Sequence, residues 1–198
     1  MNLDATEYLH LALHAVQKGD HHAALLYLKN VLELQPDNSA AHYLMAAEHA
    51  ELGLLERAAE GMAESLLLDP GLDIARFQLG LLKLQLDRIP EAAEAFGTLV
   101  QVSTDTSLRE FASGYMALIA EDKALAIPHF AAGLELCDNN LALKQDMTRV
   151  LDSLQPASTI DEASASAPSV SLEKPSDSAS LLFLGAYRDS LDAGHEPD

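Results

Sequence analysis

The chain has 198 residues, of which 31 are acidic and 12 basic, for a formal net charge of −19. That balance argues against nucleic acid or an anionic membrane surface as a partner, because both are gripped by clustered Lys and Arg. With 48% apolar residues and no Trp, it carries enough hydrophobic material for a helical core and does not read as a disordered acidic protein. A single cysteine, Cys137, excludes an intramolecular disulfide framework and a thiolate metal cluster built from one chain.

The first ten residues, MNLDATEYLH, carry acids at Asp4 and Glu7 and lack a long apolar run, so they make a poor signal peptide. No stretch of about 18 uninterrupted apolar residues predicts a transmembrane helix, and the expected address is the cytoplasm. Helical spacing then predicts a helix through Leu9, Leu11, Leu13 and Val16, and a break at Gly19-Asp20. A second helix follows through Ala24, Leu25, Leu28, Val31 and Leu32, with a stop at Pro36. The same plan recurs without a gap in blocks of 34 residues, at 5–38, 39–72, 73–106 and 107–140. Each block places a small residue at Ala24, Ala58, Ala92 and Ala126, which lets two helix backbones approach. Large apolar residues follow at Leu28, Met62, Phe96 and Phe130, and aliphatic ones at Leu34, Leu68, Val102 and Leu136.

Beyond the blocks, 141–154 keeps apolar residues at Leu141, Leu143, Met147, Val150, Leu151 and Leu154 with polar residues between them. This predicts a helix that covers the open end of the stack. Residues 155–180 are rich in Ser, Ala and Pro and read as a flexible linker. Residues 181–198 turn apolar and then polar, and Phe183, Leu184, Tyr187 and Leu191 fall on one face of a short helix.

The pattern over 5–140 resembles that of tetratricopeptide-repeat proteins. Their 34-residue repeat has a small residue at its eighth position (here Ala12, Ala46, Gly80, Gly114), Gly in the first turn, Ala at the twentieth position and Pro in the last turn. The first two blocks match well. In the third and fourth, Asp87 and Glu121 stand where Gly is usual, and Thr104 and Asp138 stand where Pro is. The family's Trp is absent throughout, replaced by Tyr8, His42, Arg76 and Glu110. The resemblance implies an all-α, right-handed α-solenoid of four helix-turn-helix repeats with a C-terminal capping helix, together occupying 1–154, and a flexible tail.

The resemblance also implies that the first helices line a concave groove. The positions that face it in the family correspond here to Leu9, Tyr43, Phe77 and Phe111, then to Leu13, Ala47, Leu81 and Tyr115, and then to Val16, Ala50, Leu84 and Leu118. These rows contain no charge. The first two are expected to form a peptide-binding groove with Tyr43, Phe77, Phe111 and Tyr115 as an open aromatic ladder, since contiguous apolar patches mark interaction sites. The third row reads equally as core. The Lys, Arg and Asn clamp with which some family members grip a chaperone's C-terminal carboxylate has no counterpart. An apolar groove suits an amphipathic or hydrophobic segment of a protein partner.

Phe183, Leu184, Tyr187 and Leu191 supply such a segment within the chain. A 26-residue linker spans roughly 28–30 Å and gives an effective concentration on the order of mM. Docking in the chain's own groove, or exchange into a second copy to give a homodimer, is therefore an expectation, alongside packing elsewhere or binding another protein.

Catalytic chemistry is not expected. His10 and His14 stand at i, i+4, but no third ligand accompanies them, so no metal is expected. Cys137 reads as packing, and there is no phosphate-binding Gly-rich loop and no GxSxG. No cofactor is called for. The sequence points to a non-enzymatic adaptor or scaffold that binds an apolar or amphipathic segment. The alternatives are a small acidic chaperone of a hydrophobic secreted client and a regulatory subunit of an enzyme complex. The acidic surplus reads as a solvated outer face that keeps a sticky groove soluble, or as steering toward a basic partner.

Overall fold

The structure, a computed structural model, describes residues 3–138 and 140–155. The linker beyond Gln155 and the C-terminal segment with Phe183, Leu184, Tyr187 and Leu191 lie outside the described residues. Within them the chain is all-helical: α1 (Ala5–Gln17), α2 (His21–Leu34), α3 (Ser39–Glu51), α4 (Leu55–Leu68), α5 (Asp73–Gln85), α6 (Ile89–Val102), α7 (Thr106–Ile119), α8 (Lys123–Leu136) and α9 (Leu141–Leu154). The second helices begin at His21, Leu55, Ile89 and Lys123, each 34 residues after the last. Each first helix packs on its own second helix, and each second helix packs on the next first helix, which stacks the pairs into a solenoid.

Local chemistry sets the helix starts. At α1, Asp4 Oδ1 accepts from the Glu7 amide at 2.8 Å and Glu7 Oε2 accepts from the Asp4 amide at 2.9 Å, a reciprocal cap. Asp20, Asn38, Asp105, Asp122 and Asn140 each accept an amide from the first turn of the helix that follows. The turns inside the four pairs share one backbone form. Gly19 (φ 69°) and Gly53 (φ 73°) sit in the left-handed region, and so do Asp87 (φ 57°) and Glu121 (φ 60°). The third and fourth pairs therefore keep the turn without glycine, at a local cost of about 1–2 kcal/mol for a side chain in that region.

Helix pairing rests on matched sizes. In the first two pairs Ala12 and Ala46 accompany Leu28 and Met62; in the last two, Gly80 and Gly114 accompany the larger Phe96 and Phe130, and the large residues are all fully buried. A Cβ at Gly114 would stand 2.9 Å from the Phe130 ring, so the phenyl group occupies the space the missing methyl leaves. Gly133 does the same for Phe111, at 2.5 Å.

Three kinds of contact stand where the family has Trp. Tyr8 faces Tyr27 with ring centroids 6.4 Å apart. A His42 ring nitrogen bonds the Pro36 carbonyl at 2.8 Å, and Arg76 Nη2 donates to the Pro70 carbonyl at 2.8 Å, the same device one repeat later. Glu110 Oε2 lies 2.8 Å from His129 Nδ1. In the second pair the place of Tyr27 is taken by Gly61, and an open cleft of about 430 Å³ lies there, lined among others by His42, His49, Arg57, Glu60 and Glu64.

Candidate functional site: the first-helix face

The first helices α1, α3, α5 and α7 carry the rows expected to bind. Leu9 and Leu13 are partly buried. Tyr43, Ala47, Phe77 and Phe111 are fully buried, and Leu81 and Tyr115 nearly so. The expectation of an open aromatic ladder is corrected on this point. Phe77 meets Phe96 and Tyr115 with centroids 5.8 Å apart in each case, and Phe111 at 6.4 Å. Tyr115 stacks on Phe96 at 5.0 Å and meets Phe130 edge-on at 5.1 Å. The rings thus interlock first helices with second helices, because an aromatic beside Gly80, Gly114 or Gly133 finds room between the helices. Tyr43 belongs to the other core section, with Leu44, Ala46 and Met62.

Of the remaining apolar residues on these helices, Ile74, Leu84 and Leu118 are partly buried, as Leu9 and Leu13 are, and retain exposed surface. Leu84 and Leu118 belong to the row that reads equally as core, Leu9 and Leu13 to the two rows expected to bind, and Ile74 to none of the three. Sequence reasoning placed weight on the largest side chains, and those are the ones a small solenoid needs inside.

Buried charge is sparse and specific. Glu48 of α3 is fully buried, and its Oε2 lies 2.8 Å from Nδ1 of His21 at the start of α2, joining the first two repeats. Burial pushes its carboxyl above the usual carboxylate range, and His21 opposes that shift. Asp146 of α9 is buried beside the Tyr115 cluster. Burial raises its pKa, and Arg149, which donates to Oδ1 at 2.7 Å, lowers it. The Tyr115 hydroxyl is pushed up by burial first and by the Asp146 charge second. Cys137 is buried, its thiol raised chiefly by burial. A buried thiol of raised pKa is a weak nucleophile.

His10 and His14 are exposed on α1. Among the described residues no group of three or more His, Cys, Asp or Glu is placed to hold a metal ion. No described helix is long and apolar enough to cross a membrane.

No family model matches the sequence, and no curated protein matches it. Solved structures do. The chain is similar to MamA (residues 41 to end) from Desulfovibrio magneticus RS-1, with 18% identity and a TM-score of 0.58 over 78% of this chain and 90% of that one. It is similar to Cut9 in the Cut9–Hcn1 hetero-tetramer of the APC/C, with 20% identity and a TM-score of 0.69 over 76% of this chain and 30% of that one. It is also similar to PilF of Pseudomonas aeruginosa, with 22% identity and a TM-score of 0.59 over 75% of this chain and 69% of that one. These neighbours are tetratricopeptide-repeat structures. With its helix pairs in a 34-residue register and these neighbours, the chain has the tetratricopeptide-repeat solenoid fold.

Proposed function

We propose that this chain is a non-enzymatic protein-interaction scaffold whose first-helix face takes an apolar or amphipathic segment of a protein partner. The observation that carries the reading is that apolar residues of the first helices, Leu9, Leu13, Ile74, Leu84 and Leu118, stay partly exposed in a chain of net charge −19. Leu9 and Leu13 pack on the core section that holds Tyr43, Leu84 and Leu118 on the one that holds Phe77, Phe111 and Tyr115, and Ile74 on both, so partly exposed aliphatic residues stand on a buried floor. A fixed floor with aliphatic contacts above it binds an apolar segment without first having to order its own side chains. The fold supports this reading, since Cut9, one of the neighbours, is solved within a hetero-tetramer with Hcn1.

The C-terminal segment with Phe183, Leu184, Tyr187 and Leu191 competes for the same face in this proposal, holding it closed until a partner displaces it. The test of the binding reading is capture of the partner by wild-type protein and by Leu84→Lys and Leu118→Lys variants. Both substitutions place an ammonium on the proposed face at partly exposed positions, so folding is expected to survive while capture is lost. Capture at the wild-type level by both variants would refute the reading. Hydrogen exchange reports the gating: 181–191 is expected to be protected in the wild type and to exchange fast in Leu184→Asp, and fast exchange in both would remove the tail from the account.

A further inference from the structure

A second surface lies away from the first-helix face, at the C-terminal ends of the second helices. Each ends on an aliphatic side chain at the same place in its repeat, and all four stand in solvent: Leu34 is 55% exposed, Leu68 38%, Val102 60% and Leu136 50%. Leu67, at 77%, widens the second rung, and Leu141, at 68%, follows the fourth at the start of α9. Isolated exposed leucines are ordinary; here exposed aliphatic residues recur at the same place in all four repeats, which aligns them in a strip along the stack.

The charge around the strip is mainly acidic, with Arg76, which reaches the Pro70 carbonyl, and Lys144, near Cys137, as the nearby cations. The helix ends and the loops that follow them, 33–38, 67–72, 101–106 and 135–140, contain Glu33, Asp37, Asp69, Asp105, Glu135 and Asp138 and no Lys or Arg. Lys29, one turn earlier, lies 3.8 Å from Glu33, so that pair is neutral and the acidic character rests on the other five residues. The strip is thus apolar rungs in an acidic frame.

That combination selects an occupant. A second copy of this chain would bring two acidic edges together, and residues 155–198, with eight acids against two bases, carry the same sign. We propose that the strip docks a basic amphipathic helix of another protein, its aliphatic residues on the rungs and flanking Lys or Arg side chains on the acidic frame. A helix repeats a face about every seven residues, so one helix laid along the edge can present several such residues in a row. This inference is independent of the groove reading.

The test uses the full chain and a fluorescein-labelled 21-residue helical peptide with Leu at every seventh position, Lys at the flanking positions and Ala elsewhere, followed by anisotropy. A Leu34→Gln/Leu68→Gln/Val102→Gln/Leu136→Gln variant, with all four changes at exposed positions, is expected to keep its thermal melt and bind the peptide at least tenfold more weakly. A peptide with Ser in place of Leu should lose affinity similarly, raised salt should weaken binding, and Leu84→Lys on the first-helix face should leave it unchanged. No binding of the Leu peptide, equal binding of the Ser peptide, or wild-type affinity in the four-residue variant would overturn the proposal. So would a dimeric mass in sedimentation that falls to monomer in that variant, since a second copy would then own the strip.

Discussion

Gly80 of α5 lies so close to Phe96 of α6 that a Cβ at Gly80 would stand 2.6 Å from the Cε1 and Cζ atoms of the ring. The ring is fully buried and stacked on Tyr115, so it has nowhere to retreat without disturbing a second aromatic. Gly80→Ala is expected to destabilise the protein by about 1–3 kcal/mol, as overpacking of a close-packed core does. Adding Phe96→Met, which recreates the Ala46 and Met62 pairing of the second repeat, should recover part of that loss. Urea unfolding of the two single variants and the double variant measures the coupling; strict additivity would mean that the two positions do not share space.

The left-handed turns offer the opposite sign. Asp87 and Glu121 hold φ values that Gly19 and Gly53 hold without a Cβ penalty. Asp87→Gly and Glu121→Gly are each expected to stabilise by about 0.5–1 kcal/mol, the relief of strain exceeding the extra freedom glycine gains when unfolded. Denaturation midpoints report the change, and a loss in both would show that the side chains contribute more than the strain costs.

Most of the fold was legible in the sequence because one signal repeats. The 34-residue step carries Ala24, Ala58, Ala92 and Ala126, all fully buried, and the second helices start on the same step. Glycine and proline were less reliable markers: the third and fourth turns keep their geometry with Asp87 and Glu121, since tertiary packing overrides a local preference worth only about 1–2 kcal/mol. The candidate site was legible as rows of uncharged residues on the first helices, but not in depth. Helical spacing says that Phe77 and Leu84 lie on the same side of α5; it does not say that Phe96, Phe111 and Tyr115 close over the ring while the leucine stays partly exposed.

Phe77 illustrates the consequence. It is fully buried and touches Phe96, Phe111 and Tyr115. Phe77→Ala is expected to cost about 3–5 kcal/mol of stability. A normal melt together with weakened partner binding would instead identify the ring as a contact residue.

Glu48 makes stability pH-dependent in a defined direction. Its carboxyl is raised in the folded state, first by burial, so folding favours the protonated form. Its contribution is present at low pH and lost as pH rises through the raised folded-state value. The stability of the wild type relative to Glu48→Gln, which cannot titrate, is therefore expected to fall as pH is raised from the ordinary carboxylate range toward neutrality. Urea midpoints across that range check the sign, and a difference that grows with pH would refute it.

The central claim, that the first-helix face is where a partner sits, is tested most directly by a photo-crosslinking amino acid placed at position 84 or 118 in cells, with position 94 of α6 as the control. Covalent adducts to one protein from 84 and 118, and none from 94, are the predicted result. Adducts from 94 alone, or none from either first-helix position, would contradict the account.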